Sequence, residues 1–513
     1  MTKRPSHRWI LGRITRCGLL TPRSLALFAA AAISNGGNLG ALLRFCARRD
    51  PDGTALVNGN ERLSFAELAQ QCDRMAAALR DVYHVRRGAV IGVLGRNGGD
   101  LVRAILASTR LGARVYLLNP EMSRSQLAAL VEQHGIRLVL ATSSCGTTLK
   151  ESTCQAIDAA RLLANAPATY RRLGRVNGGE LVMLTGGTTG PPKAAVRRPD
   201  LGSFLRLFLH LVATLRLDRC RTTFIAVPLF HGYGLASFLV ALALGRAMYL
   251  MPRFDAAAAS ALIEQERIEA LIVVPSMLQR IFAEARDLSC LRCIVSGGAA
   301  LPPALAAETQ RRHGDVLFNL YGTSEAGVAV CATPEDLAAA PGTIGRELWG
   351  VQVLIRSAAG EEVGDGQLGR IGIASHAAVA AGTVIETGDL GYRDRQGRLF
   401  VQGRLDDMIV SGGENVSPWE LETVLCGHSD VCQAVAVGVP DPDFGQRLAA
   451  FVVARPESDV TPGALGEWLK ERLARYQRPR SITLVEELPL TAIGKIDRNA
   501  LRTRGTGEPA PIN

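Results

Sequence analysis

Leu184-Thr185-Gly186-Gly187-Thr188-Thr189-Gly190-Pro191-Pro192-Lys193 sets three glycines, three threonines and a lysine directly behind the apolar run Leu181 to Leu184. Glycines let backbone N–H groups approach an anion, threonine hydroxyls donate to it, and lysine adds charge. A buried strand followed by such a loop suits phosphate binding. The pattern differs from Gly-x-x-x-x-Gly-Lys-Ser/Thr, because two prolines precede Lys193 and alanine follows it. Read alone, the stretch has a solvated turn as its bland alternative.

Five further constellations follow in order. Phe230-His231-Gly232-Tyr233-Gly234 stands behind an apolar run and suits a cleft wall, with His231 as its one imidazole. Ser296-Gly297-Gly298 offers small residues where a ligand could approach the backbone. Asn319-Leu320-Tyr321-Gly322-Thr323-Ser324-Glu325 combines an aromatic platform, hydroxyls and a carboxylate. Thr387-Gly388-Asp389 reads as a tight turn presenting a carboxylate to ribose hydroxyls. Pro489 to Arg498 is a loop presenting Lys495.

The elements that must position these groups alternate. A hairpin-like stretch from residue 53 leads into a helix over Ser64–Arg80 with apolar positions at helical spacing. Strands are expected at 89–94, 114–118 and 137–141, with helices at 100–111 and 123–133. After the loop, strands are expected at 223–227, 247–250, 271–274, 293–296 and 316–320, with helices at 256–266 and 303–312. This alternation predicts an α/β fold with largely parallel sheets covered by helices. Beyond Thr343, Gly-punctuated short strands suit a distorted small barrel. A small α+β domain follows, with helices at 418–425 and 462–475 and strands at 431–437, 448–454 and 482–485. The expected division is an N-terminal arm (1–45), a large domain (46–404) and a small mobile C-terminal domain (405–513).

The chain has 513 residues, 47% of them hydrophobic, which is ample for a sizeable core. Its net charge is +10, but the basic residues are scattered and aromatics make up only 5%, which argues against nucleic acid as a partner. Eleven irregularly spaced cysteines read as reduced thiols in a cytoplasmic protein. Cys290 and Cys293 form a lone C-x-x-C without a second ligand pair, so zinc is not expected. The first 49 residues hold nine Lys or Arg and no Asp or Glu. The apolar stretch Leu25 to Ile33 within them is too short to span a bilayer. A basic region before a short apolar one also suits a signal peptide, but the interrupting arginines favour a basic amphipathic arm that touches the inner membrane face or packs on the body, with a poorly ordered terminus as the alternative.

Together, and in this order, the six motifs resemble the acyl-adenylate-forming superfamily over roughly residues 40–502. The resemblance implies ATP, Mg²⁺ and CoA as the small-molecule partners of a carboxylic acid. The acid attacks the α-phosphate to give acyl-AMP, and a thiol then displaces AMP. It implies that Thr185, Gly186, Gly187, Thr188, Thr189, Gly190 and Lys193 hold the β- and γ-phosphates. Tyr321 would stack on the adenine, Gly298 and Gly322 would belong to the nucleotide site, and Thr323 would meet the α-phosphate. Glu325 would bind Mg²⁺, and Asp389 with Arg404 would hold the ribose. Lys495 would bridge acid and α-phosphate, with Thr323 and His231 as further catalytic side chains. Asp406 falls at the hinge position, and Ser411, Gly412 and Gly413 on the CoA side. Phe230, Tyr233 and Gly234 would form the acyl pocket.

Three departures stand out. Gly186 replaces a usual hydroxyl residue, Ala194 a usual glycine, and the stretch between Gly372 and Thr387 is short, Ala-rich and lacks aromatics. His231 occupies the position where amino-acid-activating relatives carry Asp, which disfavours an α-amino acid. The apolar segment Gly232 to Val240 suits a fatty acyl chain, at about 0.8 kcal/mol per buried methylene. The leading expectation is a fatty acyl-CoA ligase. The alternatives are a fatty acyl-AMP ligase loading a carrier protein, a ligase for aryl or other acids, and a binding protein without turnover.

Overall fold

The structure is a computed structural model, and it describes residues 7–143, 145, 154–185, 193–197, 201–375, 383–411, 414–456, 458–491 and 495–505. The chain divides into two compact units: residues 1–352 with 374–383, and residues 353–373 with 384–513.

The first unit is built on two sheets. A six-stranded sheet runs in the order 155–158, 138–141, 90–94, 114–118, 180–185 and 193–197, and its first five strands are parallel. Central strands such as Leu138–Ala141 are buried along their whole length, as a sheet covered on both faces requires. A nine-stranded sheet runs 346–347, 327–332, 317–323, 293–297, 270–273, 222–225, 247–250, 54–58 and 61–64. Its core from 317–323 to 54–58 is parallel and its margins are antiparallel.

Local chemistry sets the helices. Phe65–Asp81 begins at a capping box, in which the Ser64 hydroxyl accepts from the Glu67 N–H and the Glu67 carboxylate accepts from the Ser64 N–H. Gly232–Leu244 ends at Gly245, whose φ of 63° is left-handed.

The basic N-terminal arm forms helices His7–Arg16, Pro22–Asn35 and Leu39–Arg49. The first docks on the body, with Arg13 donating to the buried Asp218 at 2.7 Å and Arg16 pairing with the same carboxylate at 3.4 Å. The second leaves Leu25, Phe28 and Ile33 exposed. No described helix is long and apolar enough to cross a membrane.

In the second unit, strands 351–356, 369–375, 384–393 and 399–404 make a four-stranded sheet. Beside it in sequence, strands 414–416, 409–411, 445–454 and 431–441 form another sheet, with 481–484 parallel to 445–454. Its core packs Leu421, Leu425, Ala436, Ala450, Leu465 and Leu469.

Two local expectations change. Thr387-Gly388-Asp389 lies inside the strand Val384–Arg393 rather than in a tight turn. Gly388 takes φ 77° there and the ladder slips at Leu390/Gly391, so a strand accommodates what reads as turn chemistry. The helix expected over 462–475 stops at Lys470. The Arg478 guanidinium takes the carbonyls of Lys470 and Leu473, both at 3.0 Å, and so ends it.

Candidate functional site

In the first unit the candidate groups lie at the carboxyl ends of strands. Strand 222–225 leads through Pro228 to the buried Phe230, whose ring lies 4.6 Å from that of His231. Asn97, at the end of the other sheet's strand 90–94, fixes this segment. Its amide donates to the Val227 carbonyl at 2.9 Å and accepts from the Leu229 N–H at 2.8 Å. Sequence reasoning missed Asn97; its one signal is a lone buried amide at a strand end.

Tyr233 is anchored by a 2.7 Å hydrogen bond from its hydroxyl to the Val295 carbonyl, and burial pushes its pKa well up, so it stays a neutral donor. A Cβ on Gly297 would stand 3.3 Å from its ring, so this glycine is what lets the tyrosine lie against the Ser296-Gly297-Gly298 turn. A Cβ on Gly234 would come within 2.1 Å of the Pro228 carbonyl oxygen. Gly234 therefore serves close helix packing.

From Tyr233 a narrow cavity runs along one stripe of the helix, through Ala236, Ser237, Val240, Ala241 and Leu244. These positions recur at three and four residues, the period of one helical face. Strand residues Thr223, Ile272, Val295 and Leu320 form the opposite wall, and the space, mouth included, measures about 580 Å³. Of the three expected acyl-pocket residues, Tyr233 lines it, while Phe230 and Gly234 are not among its lining. Arg246, at one end, was not singled out by the sequence.

Strands 317–323 and 327–332 form a hairpin that carries half-buried Tyr321, exposed Gly322 and half-buried Thr323. The Thr323 hydroxyl oxygen accepts from the Ala326 N–H at 3.0 Å, which leaves its proton available to a ligand. Glu325 projects from the turn into solvent. No described group of three or more His, Cys, Asp or Glu could hold a metal by itself. A lone exposed carboxylate fits Mg²⁺ that takes its remaining ligands from phosphates and water.

Gly186, Gly187, Thr188, Thr189 and Gly190 lie outside the described residues, as do Gly412 and Gly413. The flanking strands 180–185 and 193–197 pair antiparallel, with Thr185 opposite Lys193. These two strands form the margin of the six-stranded sheet.

In the second unit, neighbouring strands set Asp389 opposite Arg404. Asp389 is only 7% exposed, and its carboxylate accepts from Arg404 at 3.2 Å. The Thr387 hydroxyl donates to the Ile371 carbonyl at 2.9 Å and accepts from the Asp389 N–H at 3.1 Å, fixing the aspartate's backbone. A Cβ on Gly388 would stand 2.9 Å from the Arg404 guanidinium, so glycine suits both its φ and the space. Arg404 also pairs with Asp406 at 3.6 Å.

Lys495 closes a loop stapled by the Thr491 N–H to its carbonyl at 2.7 Å and by the Asp497 N–H to the Pro489 carbonyl at 2.8 Å. Its ammonium pKa is lowered by loss of hydration and by Arg404, with Asp389 opposing. Lys495, Arg404 and Asp389 thus act on one another although they lie far apart in sequence. Behind the loop, Arg498 binds Glu422 at 2.9 Å and the Ala436 carbonyl at 2.7 Å, and Arg502 binds Asp407 at 3.1 Å. The residue following Asp406 is thereby tied to the helix that follows Lys495. Ser411 is buried on strand 409–411.

All eleven cysteines are free, and Cys293 is buried in a central strand, consistent with the packing reading of the C-x-x-C.

Residues 43–382 match the family described as AMP-binding enzyme, and residues 420–495 match the AMP-binding enzyme C-terminal domain. The chain is 32% identical to an indoleacetate–CoA ligase of Aromatoleum aromaticum, over 88% of this chain and 95% of that protein. It is 30% identical to a 2-succinylbenzoate–CoA ligase of Bacillus subtilis, over 90% and 97%. Among solved structures, the o-succinylbenzoate CoA synthetase of Bacillus subtilis in complex with its acyl-adenylate intermediate superposes with a TM-score of 0.78 at 27% identity, covering 92% of this chain and 99% of that one. The same synthetase with ATP and a magnesium ion gives 0.77 at 29% identity, over 90% and 98%.

Proposed function

The chain belongs to the AMP-binding, acyl-adenylate-forming enzymes, and from that premise we propose that it is an acid–thiol ligase that activates a carboxylic acid with ATP and transfers it to CoA. The observation that carries the reading is the mutual arrangement of Lys495, Arg404 and the buried Asp389. A carboxylate held for ribose hydroxyls shares its field with an ammonium suited to an α-phosphate.

In the first step a substrate carboxylate oxygen bonds to the α-phosphorus and the bond to pyrophosphate breaks. Lys495 stabilises the charge that develops on the α-phosphoryl oxygens. Asp389 accepts from the ribose hydroxyls and Tyr321 stacks on adenine. Thr323 donates its free proton to the α-phosphate. Glu325 would hold magnesium together with the phosphates, and the ion would supply charge that offsets repulsion between the acid and the nucleotide. The stretch from Thr185 to Lys193 holds the leaving pyrophosphate. In the second step the CoA sulfur, having lost its proton, attacks the acyl carbon, and AMP leaves with the mixed-anhydride oxygen. Rotation about Asp406, presenting the Ser411 to Gly413 face to the thiol, would separate the two steps.

The relatives named above act on indoleacetate and 2-succinylbenzoate. They support an aromatic acid better than the fatty acid that the apolar segment Gly232 to Val240 suggests. Incubation with ATP, Mg²⁺, CoA and a panel of aryl-alkanoic and straight-chain acids should yield AMP and aryl acyl-CoA. Turnover of straight-chain acids alone would overturn the aromatic assignment. Acyl-AMP accumulating without thioester would favour a carrier-protein acceptor, and absence of any acid-dependent pyrophosphate exchange would favour a binding protein.

Peripheral membrane contact is a separate part of the proposal, supported by exposed Leu25, Phe28 and Ile33 on an arm without acidic residues. Vesicles of phosphatidylglycerol should co-sediment with the protein and fail to do so with Phe28→Glu. Equal sedimentation of both proteins would discard this part.

A further inference from the structure

The far end of the helix-lined cavity holds a cation that no described carboxylate pairs. Tyr233 stands at one end of the stripe and Leu244 at the other, a separation of about 16 Å at a helical rise of about 1.5 Å per residue. Beyond Leu244, past the helix-ending Gly245, Arg246 contributes to the cavity wall. The rest of that wall is almost wholly apolar.

An arginine at a helix carboxyl terminus often serves the last carbonyls. Here that work falls to Arg49, which donates to the Leu244 carbonyl at 2.7 Å. The Arg246 Nε is buried and has no hydrogen-bond partner. The groups that act most strongly on Arg246 are Cys17, Arg49 and Cys220, and among the described residues no carboxylate forms an ion pair with it. The nearby carboxylate of Asp218 is engaged by Arg13 and Arg16. Loss of hydration, with Arg49 adding to it, lowers the Arg246 pKa. A half-buried cation without a counter-charge is costly, and an anion arriving in the cavity would relieve that cost.

We propose that Arg246 receives a second carboxylate of the acid substrate, so that this chain prefers an acid carrying an anionic group at the far end of an apolar body. This rests on the acid-activating reading above and deepens it to a substrate class. The activated carboxyl lies at the Tyr233 end, beside Gly297 and the Tyr321 hairpin. The apolar body follows the stripe through Ser237 and Val240. The distal carboxylate meets the guanidinium, which matches it in planar, two-pronged geometry. Cys17, whose thiol acts electrostatically on Arg246, belongs to the N-terminal arm and precedes the matched family region. The arm therefore contributes to the surroundings of the specificity-determining arginine.

Matched pairs of acids, equal in length and ending in a methyl or a carboxylate, test the proposal through acid-dependent pyrophosphate exchange. The wild type should favour the dicarboxylate by about 100-fold in kcat/KM at the best length. Arg246→Leu should abolish that preference while keeping or raising activity on the methyl-ended acid, and Arg246→Lys should restore part of it. A wild-type preference for the methyl-ended partner at every length overturns the proposal. An equal loss on both acids in Arg246→Leu, with Arg246→Lys no better, overturns it as well and leaves a packing role. Should no acid support exchange, the ligase reading fails by itself. Calorimetric binding of the same acid pairs to wild type and Arg246→Leu still decides the role of Arg246, because a weaker hold on the dicarboxylate alone supports it and equal binding refutes it.

Discussion

Arg404 and Asp389 face each other on neighbouring strands, and the guanidinium donates to the carboxylate at 3.2 Å while also acting on the Lys495 ammonium. One buried acid and two cations therefore share a small field, and Arg404 and Asp389 act on the Lys495 ammonium in opposite senses.

The pH dependence of adenylation follows from this field. Lys495 must be charged to stabilise the α-phosphoryl group, and its pKa lies below the ordinary value of 10.5. The alkaline limb of pyrophosphate exchange should therefore fall below that of an ordinary lysine. Arg404→Gln removes a like charge and should move the limb up. Asp389→Asn removes an opposite charge and should move it down. A limb that stays put in both variants would assign it to another group.

Lys495→Ala should lower pyrophosphate exchange by about 10²- to 10³-fold, the usual loss when one preorganised charge is withdrawn from a developing oxyanion. Thioester formation from supplied acyl-adenylate and CoA should be largely retained. Equal losses in both half-reactions would contradict a role confined to the first.

Asp389→Ala removes a carboxylate expected to take two ribose hydroxyls. Charge-assisted hydrogen bonds contribute about 1.5–3 kcal/mol, so KM for ATP should rise by about 10- to 100-fold with little change for the acid. Steady-state titration of each substrate checks this.

Arg498→Ala should destabilise the C-terminal unit by about 3 kcal/mol, because it strands the largely buried Glu422 without its partner. Replacing both residues, as Arg498→Met with Glu422→Leu, should recover most of the loss. Denaturant unfolding of the three proteins measures both effects.

Gly234→Ala should cost about 1–3 kcal/mol, since the added Cβ meets the Pro228 carbonyl and cannot be absorbed by a side-chain rotation. It should leave the ranking of acids unchanged. Val240→Phe, which fills the cavity, should alter that ranking. Thermal melts and the acid panel separate the two behaviours.

Much of this was legible in the chain. The strands around 90–94, 114–118 and 293–297 are short apolar runs bounded by turn residues, and they form where those runs stand. Helix Phe65–Asp81 carries its own capping box, so its start is written locally. The candidate groups Tyr321, Asp389 and Lys495 were identifiable because each sits in a short motif whose order along the chain is distinctive.

Other features depend on residues distant in sequence. The end of helix Pro462–Lys470 is set by Arg478, and the strand form of Thr387-Gly388-Asp389 depends on Arg404 and Ile371 across the sheet. Asn97 tells nothing by itself until two sheets bring it against Val227 and Leu229.

By itself, then, the sequence determined the alternation of elements and the set of chemical groups, because periodicity, caps and motif order are local properties of a chain. Only the tertiary structure decided what those groups do to one another. It placed Arg404 where it depresses Lys495, and it left Arg246 charged at the end of an apolar cavity. Burial and proximity belong to the packed chain, and from these the electrostatics follow.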